Sequence, residues 1–290
     1  MASARRRLSH NVEGPFFVDD TCIDCDTCRK IAPVTYVEHG GYAIVYRQPD
    51  DPGAIIRAQM ALLACPTGSI GDTLKRDLLP ARTEFPEALT EDVLFLGYTA
   101  SSSFGAWSYL ALRPSGNIMI DCPRFNKDLA DRIAARGGID QIFLTHQDDV
   151  ADHERWSREF NAPRTMISWD VTSDTKNVEQ QLEIHSSFIL APGVTVIPTP
   201  GHTRGHGVLL IDDRYLFSGD HLAWTTSRGA LGAFRGACWY SWSEQIDSMV
   251  RLSRYRFEWV FPGHGRIHKR EQSTMQAEIE EVVEWMRSVA

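Results

Sequence analysis

Three cysteines lie within seven residues near the start of the chain, and their spacing suits a shared metal centre. Cys22, Cys25 and Cys28 form a C-x2-C-x2-C loop, and Cys65 follows later, directly before Pro66. Three sulfurs on so tight a loop converge on one point more readily than they pair as disulfides. Such a triplet with a distant Cys-Pro is the ligand set of a cubane iron–sulfur cluster. We therefore predict one [4Fe-4S] cluster on these four cysteines.

The surrounding residues limit the number of clusters to one. In the two-cluster pattern the loop continues to a further Cys-Pro, but here Ala32 precedes Pro33, and no second triplet precedes Cys65. The alternative is a structural zinc site, which prefers two C-x2-C pairs. Cys122 and Cys238 are isolated and are expected to be small buried side chains. Metal-binding thiols indicate a reducing, cytoplasmic compartment.

A second set of ligand-type residues follows predicted strands in the later part of the chain. The segments are His146-Gln-Asp148-Asp149-Val-Ala-Asp152-His153, Gly201-His202, Ser218-Gly219-Asp220 and Pro262-Gly263-His264. Strand ends deliver side chains to one edge of a sheet, and glycines let the backbone turn sharply there. Imidazoles and carboxylates suit zinc or iron. Together the four segments predict a metal centre.

The elements that must position the cysteines form a small module. Residues 34–37 and 42–45 flank Gly40-Gly41 as a predicted hairpin, and a helix from Pro52 to Ala64 delivers Cys65. Residues 1–14 are expected to be a loose leader, 15–72 the module and 73–91 a linker.

The apolar pattern of residues 92–290 predicts a layered α/β domain. Predicted helices cover 124–136, the stretch after a capping box at 241–244, and the C-terminus. Predicted strands cover 93–97, 106–112, 117–121, 139–145, 194–198, 207–211, 214–218 and 257–261.

The two regions each resemble a known family. The cysteine module resembles the single-cluster bacterial-type ferredoxin, and residues from about 90 to 290 resemble the metallo-β-lactamase fold. The resemblance implies a four-layer αββα sandwich preceded by a small α+β ferredoxin-like domain. It also implies two divalent metal ions, zinc or iron, with His202 on the first metal, Asp220 bridging and His264 on the second. Asp121-Cys122 falls where that family has Asp-Thr-Gly.

The first histidine segment departs from the family's H-x-H-x-D-H pattern. Counting forward makes His146, Asp148, Asp152 and His153 ligands, with Asp152 also the catalytic residue that orients a metal-bound hydroxide. Counting back from the last pair puts Asp148 in the first slot and leaves His146 outside. We favour the forward count, because His146 sits at the strand end and an inserted pair can bulge the loop. Asp149 is expected to be solvated. A carboxylate in the second slot is similar to the flavodiiron branch of the fold, whose metal is iron.

Other residues near these segments have weaker claims. His206 is expected to be a structural hydrogen-bonding residue, and His221 to support the metal ligands from behind. The aromatic stretch 238–242, which contains Trp239 and Trp242, is expected in the core rather than in a pocket wall, and its role stays open.

Composition narrows the function classes. The 290 residues, 43% of them hydrophobic and 23% charged, are ordinary for a globular protein of two domains. A net charge of −8 argues against a general grip on nucleic acid or an anionic membrane. No apolar run approaches the length that spans a bilayer, and the N-terminus lacks the apolar core of a secretory signal.

Two enzyme functions fit, both with a small-molecule substrate. A metallohydrolase would cleave an ester, thioester, lactone or related bond with a dinuclear metal site. A non-haem iron oxidoreductase would use the cluster as electron donor, and a redox partner protein would in turn supply electrons to the cluster. A third reading makes the cluster a stabiliser or sensor. The fold's usual chemistry favours the hydrolase narrowly, while the fused cluster and Asp148 favour the oxidoreductase; a homo-oligomer is compatible with each.

Overall fold

The computed structural model describes residues 2–290, and its first part is the small module. Its elements are β1 (Phe16–Val18), α1 (Thr27–Ile31), β2 (Tyr36–His39), β3 (Tyr42–Val45), α2 (Pro52–Ala64) and β4 (Ile70–Asp72). Strands β2 and β3 pair around Gly40-Gly41, and β1 pairs with β4. The Asp51 side chain caps α2 by accepting a hydrogen bond from the Ala54 N–H, as the Asp-Pro signal predicts.

The expectation of a loose leader is wrong for the residues that the structure describes. Asn11 is buried, and its side-chain oxygen accepts hydrogen bonds from the backbone N–H groups of Val18 and Val45. Val12 also donates its backbone N–H to the Val45 carbonyl. This segment therefore packs onto the module instead of trailing from it.

Residues 73–91 are also more ordered than a linker. They contain α3 (Leu79–Thr83), which packs against α2, and β5 (Glu87–Ala88). Strand β5 pairs with the first strand of the large domain, so the end of this segment is an edge of that domain's sheet.

The large domain begins with a seven-stranded sheet in the order β11-β10-β9-β8-β7-β6-β5. Its further strands are β6 (Val93–Phe95), β7 (Tyr109–Ala111), β8 (Ile118–Ile120), β9 (Gln141–Phe143), β10 (Arg164–Ile167) and β11 (Gln180–Leu182). The helices α4 (Lys127–Ala134) and α5 (His153–Phe160) follow β8 and β9, and their buried faces join the core of this sheet.

A six-stranded sheet, in the order β12-β13-β14-β15-β18-β19, forms the second half. Its strands are β12 (Phe188–Ala191), β13 (Val194–Pro198), β14 (Gly207–Ile211), β15 (Tyr215–Gly219), β18 (Trp259–Pro262) and β19 (His268–Lys269). A separate hairpin joins β16 (Ala223–Thr225) to β17 (Ala230–Gly232). Helices α6 (Trp242–Leu252) and α7 (Gln272–Ser288) pack on the outer face of the six-stranded sheet and form a second apolar core with it.

The two sheets pack face to face between the helix layers. Tyr109 of β7 contacts Phe217 of β15 and Phe261 of β18, with ring centroids 5.6 and 5.4 Å apart. The order helix, sheet, sheet, helix confirms the predicted four-layer αββα domain behind a small α+β module.

The topology brings several strand ends to one edge. Strands β15 and β18 are parallel, and β13 runs in the same direction because both neighbours of β14 are antiparallel to it. The loops after these three strands therefore leave the sheet at the same edge. Within residues 2–290, no helix combines the length and apolar character of a membrane span.

Candidate metal centres

The four cysteines of the module line a common cavity. Cys22, Cys25, Cys28 and Cys65 all border it, and none forms a disulfide. Burial raises the pKa of the Cys22, Cys25 and Cys28 thiols, and the charges of neighbouring cysteines raise it further. Four thiolates this close need a cationic centre to stabilise them, so the cavity fits a metal cluster.

Backbone N–H groups point at the sulfurs, as expected around a cluster. Cys22 Sγ lies 3.5 Å from the Asp24 nitrogen and 3.4 Å from the Ala43 nitrogen. Cys65 Sγ accepts a hydrogen bond from the Ser69 N–H at 3.3 Å. Such N–H···S bonds stabilise thiolate charge and tune cluster potentials.

The second centre gathers histidines and carboxylates at the edge where the strand ends meet. His146 follows β9, and its Nε2 lies 3.9 Å from Oδ2 of both Asp148 and Asp220. His202 follows β13, with Nε2 3.5 Å from Asp148 Oδ2 and 3.7 Å from Asp220 Oδ2. His264 follows β18, and its Nδ1 lies 2.9 Å from each Asp220 oxygen. Asp220 thus faces all three imidazoles.

Unpaired buried donor atoms show that this cluster fits metal ions. His146 Nε2, both ring nitrogens of His202 and both oxygens of Asp149 have no hydrogen-bond partner in the described chain. His146, His202 and Asp149 are each at most 2% exposed, so water does not compensate them. Two overlapping trios have ligand atoms within 4.8 Å of one another: His146, Asp148 and His202, and His146, Asp149 and Asp220. Buried polar atoms are rarely left unpaired, and bound cations would satisfy these.

The electrostatics of the cluster agree with this fit. Burial lowers the pKa of His146 to about 4, so its ring is neutral and its lone pair is free to bind a metal. Burial and the neighbouring carboxylates raise the pKa of Asp149 well above its usual value. Burial opposes the charge of Asp220 too, but the adjacent histidines outweigh it and lower its pKa.

Residues behind the ligands orient them. Asp121 accepts hydrogen bonds from the backbone and the hydroxyl of Thr145, and that hydroxyl lies 2.9 Å from His146 Nδ1. The chain of contacts turns His146 Nε2 toward the carboxylates. His206 is fully buried, with Nδ1 2.8 Å from the Thr199 hydroxyl and Nε2 accepting from the Asp220 N–H. It therefore positions Asp220 and is not itself among the converging donors.

Comparisons with known proteins agree with both parts of this architecture. Residues 18–72 match the family model described as "4Fe-4S single cluster domain of Ferredoxin I". The VMB-1 structure superposes with a TM-score of 0.54 at 19% identity, covering 70% of this chain and 96% of that one. The protein therefore joins a single-cluster ferredoxin domain to a metallo-β-lactamase fold.

Further proteins are similar to this chain at low identity. The DIM-1 metallo-beta-lactamase superposes with a TM-score of 0.54 at 15% identity, covering 70% of this chain and 97% of that one. A metallo-beta-lactamase from Pontibacter korlensis gives 0.51 at 16% identity, over 69% and 97%. A "Beta-lactamase-like protein 2 homolog" of Drosophila melanogaster is 27% identical over 209 residues, which are 66% of this chain and 68% of that protein.

In the metallo-β-lactamase domain, the structure does not bring Asp152 to the ligand cluster. Its side chain is exposed, and Oδ2 accepts a hydrogen bond from the Phe125 N–H at 2.6 Å. Asp152 directly precedes α5, and its hydrogen bond ties the 146–152 loop to the segment that leads into α4. The prediction that it is a ligand and the catalytic carboxylate is therefore not supported by its position.

His153 is likewise placed away from the cluster. It lies in the first turn of α5, and its Nδ1 is 3.0 Å from an Arg164 guanidinium nitrogen. Burial, and then the charge of this guanidinium, lower the pKa of His153. A guanidinium only donates hydrogen bonds, and its positive charge opposes a bound cation. Residues three apart share a helix face, so His153 is buried on the same side as Trp156.

Asp149 is the ligand-type residue that the sequence analysis missed. We expected it to be solvated, yet it is 1% exposed and its Oδ2 lies 2.6 Å from where a Cβ on Gly263 would stand. The glycine of Pro-Gly-His therefore leaves room for this carboxylate beside His264. The adjacent pair of Asp residues was the available signal, but an irregular loop has no period that tells which one points inward.

The aromatic stretch before α6 is at the surface and not in the core. Trp239 is 66% exposed and Tyr240 50% exposed, and the Trp239 ring lies 6.3 Å from the His202 ring. The Trp239 N–H donates to the His202 carbonyl at 2.9 Å. Trp242 instead packs against Trp285 of α7. Trp239 therefore flanks the metal centre, as a pocket wall would.

The ferredoxin domain meets the second centre at one loop. A Cβ on Gly105 would stand 2.8 Å from Cys25 Sγ, so the cluster ligand packs directly on this glycine. The carbonyl of the preceding Phe104 lies 3.4 Å from His264 Nε2. Nearby, an Arg266 guanidinium nitrogen is 3.2 Å from the Asp26 carboxylate. The two candidate centres are thus separated by a single short loop.

Proposed function

We propose that this protein is a non-haem iron oxidoreductase of the metallo-β-lactamase fold, in which the ferredoxin cluster exchanges electrons with the His/Asp centre. The observation that supports this most is the loop contact: Cys25 packs on Gly105, and the adjacent Phe104 carbonyl faces His264. A cluster that only stabilised the small domain would not need a cysteine ligand to pack on the loop whose next residue faces His264.

The donor set also favours iron. We propose that His146, Asp148, His202, Asp149, Asp220 and His264 would hold two metals, with Asp220 as the carboxylate that faces all three imidazoles. Three carboxylates beside three imidazoles make a harder set than an all-histidine one, and carboxylate oxygen suits iron or manganese better than it suits zinc. When bound, the cluster would supply single electrons. The metal pair would be the place where a small molecule is oxidised or reduced.

The chain's own residues define access and charge at this site. Asp148 has a side chain 43% exposed, whereas the other ligands are mostly buried, so its side opens to solvent. Phe104 is 53% exposed with its ring 6.0 Å from that of His264, and Trp239 stands beside His202. These two aromatic side chains flank the opening through which a small-molecule substrate would enter. A redox partner protein would have to return the cluster to its starting oxidation state after each electron transfer.

Hydrolysis is the second candidate, favoured by the fold shared with metallo-β-lactamases. Metal pairs of this kind lower the pKa of bound water. In that case Asp149, not Asp152, is the unpaired carboxylate placed to orient the water.

Metal analysis of protein purified without air separates the two candidates. The oxidoreductase predicts about six iron per chain, four in the cluster and two at the His/Asp site. About four iron with about two zinc would contradict it and support the hydrolase.

A variant sharpens that result. Asp148→His exchanges a hard oxygen for an imidazole, so in equimolar iron and zinc without oxygen the bound iron-to-zinc ratio should fall. Asp247→His, an exposed change on α6, is the matched control and should leave the ratio unchanged. An unchanged ratio in Asp148→His would mean that Asp148 does not set the metal preference.

A further inference from the structure

We infer that the peptide group joining Phe104 to Gly105 (the 104–105 peptide) couples the two centres, so that the redox state of the cluster changes the metal affinity of the His/Asp site. The inference rests on both centres being present, as proposed above, but not on which reaction the second one performs. It assigns the chain a built-in regulation: reducing the cluster tightens the binding of the divalent metal.

On the cluster side, Gly105, the residue that completes this peptide, packs against a cysteine ligand. A Cβ at Gly105 would lie 2.7 Å from Cys25 Cβ and 2.8 Å from its Sγ, and 3.4 Å from Pro66, which follows Cys65. Gly105 also has a φ of +82°, which a larger residue adopts only with strain. Thr27, between two cysteine ligands, donates its hydroxyl to the Gly105 carbonyl at 3.0 Å. Any side chain here would push the cluster loop away.

On the metal side, the same peptide contacts a histidine that faces the bridging carboxylate. The Phe104 oxygen lies 3.4 Å from His264 Nε2, while the other ring nitrogen, Nδ1, lies 2.9 Å from Asp220. A histidine that binds a metal through one nitrogen commonly donates the other N–H to a carbonyl, which raises its basicity as a ligand. The 104–105 carbonyl is in place for that role.

The loop that carries this peptide is held on both sides. The Gly105 N–H donates to the Ala100 carbonyl, and the Trp107 N–H donates to the carbonyl of Gly263, the residue before His264. The Trp107 ring stacks on Phe95 of β6 at 3.7 Å. A shift of the cluster loop is therefore transmitted to His264, because the intervening loop has little freedom of its own.

The sign of the coupling follows from charge. A reduced cluster carries one more negative charge, which attracts a cation across the loop and polarises the 104–105 carbonyl toward His264. Both effects tighten metal binding. By linkage, an occupied His/Asp site must raise the cluster's midpoint potential by the equivalent amount.

The test uses the full chain with its cluster and zinc alone as the probe, because zinc has no redox chemistry of its own. Zinc affinity is measured without air by competition with a chromophoric chelator, with the cluster oxidised and after reduction by dithionite, a one-electron donor. We expect about tenfold tighter binding to the reduced protein. The midpoint potential, followed by EPR, should rise by about 59 mV when zinc is bound, the same tenfold factor for one electron. Equal affinities and an unmoved potential would overturn the coupling.

Variants test whether the 104–105 peptide carries the effect. Gly105→Ala should weaken both shifts, whereas Gly229→Ala, also at positive φ but with open space around its Cβ, should leave them intact. If Gly105→Ala loses its cluster, Thr27→Val removes the hydroxyl that holds Gly105 and should weaken the shifts in the same sense. Full shifts in a variant that keeps its cluster would assign the coupling to charge through space and overturn the role of this peptide.

These outcomes are separate from those of the proposed function. Zinc in the native His/Asp site would contradict the oxidoreductase, but the coupling could still be measured by the same zinc titration. Iron in that site with no shift on reduction would support the oxidoreductase and contradict the coupling.

Discussion

The cysteine loop and the histidine loop are similar in length and in density of ligand-type residues, but they differ in how far sequence defines their geometry. In the cysteine loop, the structure brings Cys22, Cys25, Cys28 and Cys65 around one cavity, as the spacing predicts. In the histidine loop, His146 and Asp148 lie in the cluster, but Asp152 and His153 do not. A ligand motif predicts which side chains converge only when the backbone of its loop has a single favoured conformation.

The physical difference lies in the backbone after each motif. The short spacing keeps the three cysteines close together, because α1 begins at Thr27 and its first turn carries Cys28 toward the same cavity. In the histidine loop, the ligand set depends on where α5 begins. Ala151 has a φ of +32° and the helix starts at His153, which rotates the last two candidates away from the site. Nothing in the local sequence fixes that starting residue.

Removing one cysteine ligand should have the greatest consequence, because the cluster then loses one of its four sulfurs. Cys65→Ala removes one of four ligands, so the visible absorbance of the cluster should be lost completely. The small domain should unfold at lower temperature, because so short a chain has little apolar core without its metal. Absorbance spectra and thermal melts check this, with Cys238→Ala, outside the cavity, as control. A normal spectrum and melt in Cys65→Ala would show that the cluster is held elsewhere.

The next effect concerns the shared carboxylate of the histidine region. Asp220 faces His146, His202 and His264, so Asp220→Ala should release both metals and lower affinity by more than about 100-fold. Metal content after dialysis measures this. Asp212→Ala, at an exposed turn, is the control. Two metals retained after Asp220→Ala would place the bridge on another residue.

A matched pair of substitutions sharpens the comparison between the loops. Asp149→Asn neutralises a buried, unpaired carboxylate and should weaken metal binding at least about tenfold. Asp152→Asn changes an exposed carboxylate that caps a backbone N–H and should leave metal binding within about twofold, with a small loss of stability. Calorimetric metal titration measures both. The reverse ranking would support the alignment of the sequence motif over the folded geometry.

A separate prediction concerns the pH dependence of the stability of the metal-free large domain. Burial raises the pKa of Asp121 to about 8, partly offset by the hydrogen bonds from Thr145. Because the folded state holds this proton more tightly than the unfolded state, stability should fall as pH rises from about 4 to about 8. The slope from this group is at most about 1.4 kcal/mol per pH unit.

Asp121→Asn should flatten that dependence, since the amide does not titrate. Chemical denaturation of the chelated protein at several pH values checks this prediction. A slope equal to that of the unsubstituted protein would mean that Asp121 is already ionised across this range.

Much of the fold follows from local signals, and strand β11 and Asp149 show where those signals are lacking. The Asp-Pro start of α2 and the capping residue Ser241 of α6 were predicted because each signal is contained in a few residues. The missed strands include β10, β11, β12 and the hairpin of β16 and β17. Strand β11, at an edge of its sheet, carries polar side chains and so has no apolar alternation to detect. Asp149 was missed for a related reason, since its inward direction depends on the space left by Gly263, more than a hundred residues later.

The two candidate metal centres are neighbours, joined by the loop around Gly105. EPR relaxation of the reduced cluster tests this most directly, with the His/Asp site loaded either with paramagnetic Mn²⁺ or with diamagnetic Zn²⁺. We predict that Mn²⁺ broadens the cluster signal and speeds its relaxation relative to Zn²⁺, and that Asp152→Asn keeps this difference while Asp149→Asn reduces it. Identical signals with both metals, at full occupancy of the site, would show that the cluster and the His/Asp site are not neighbours.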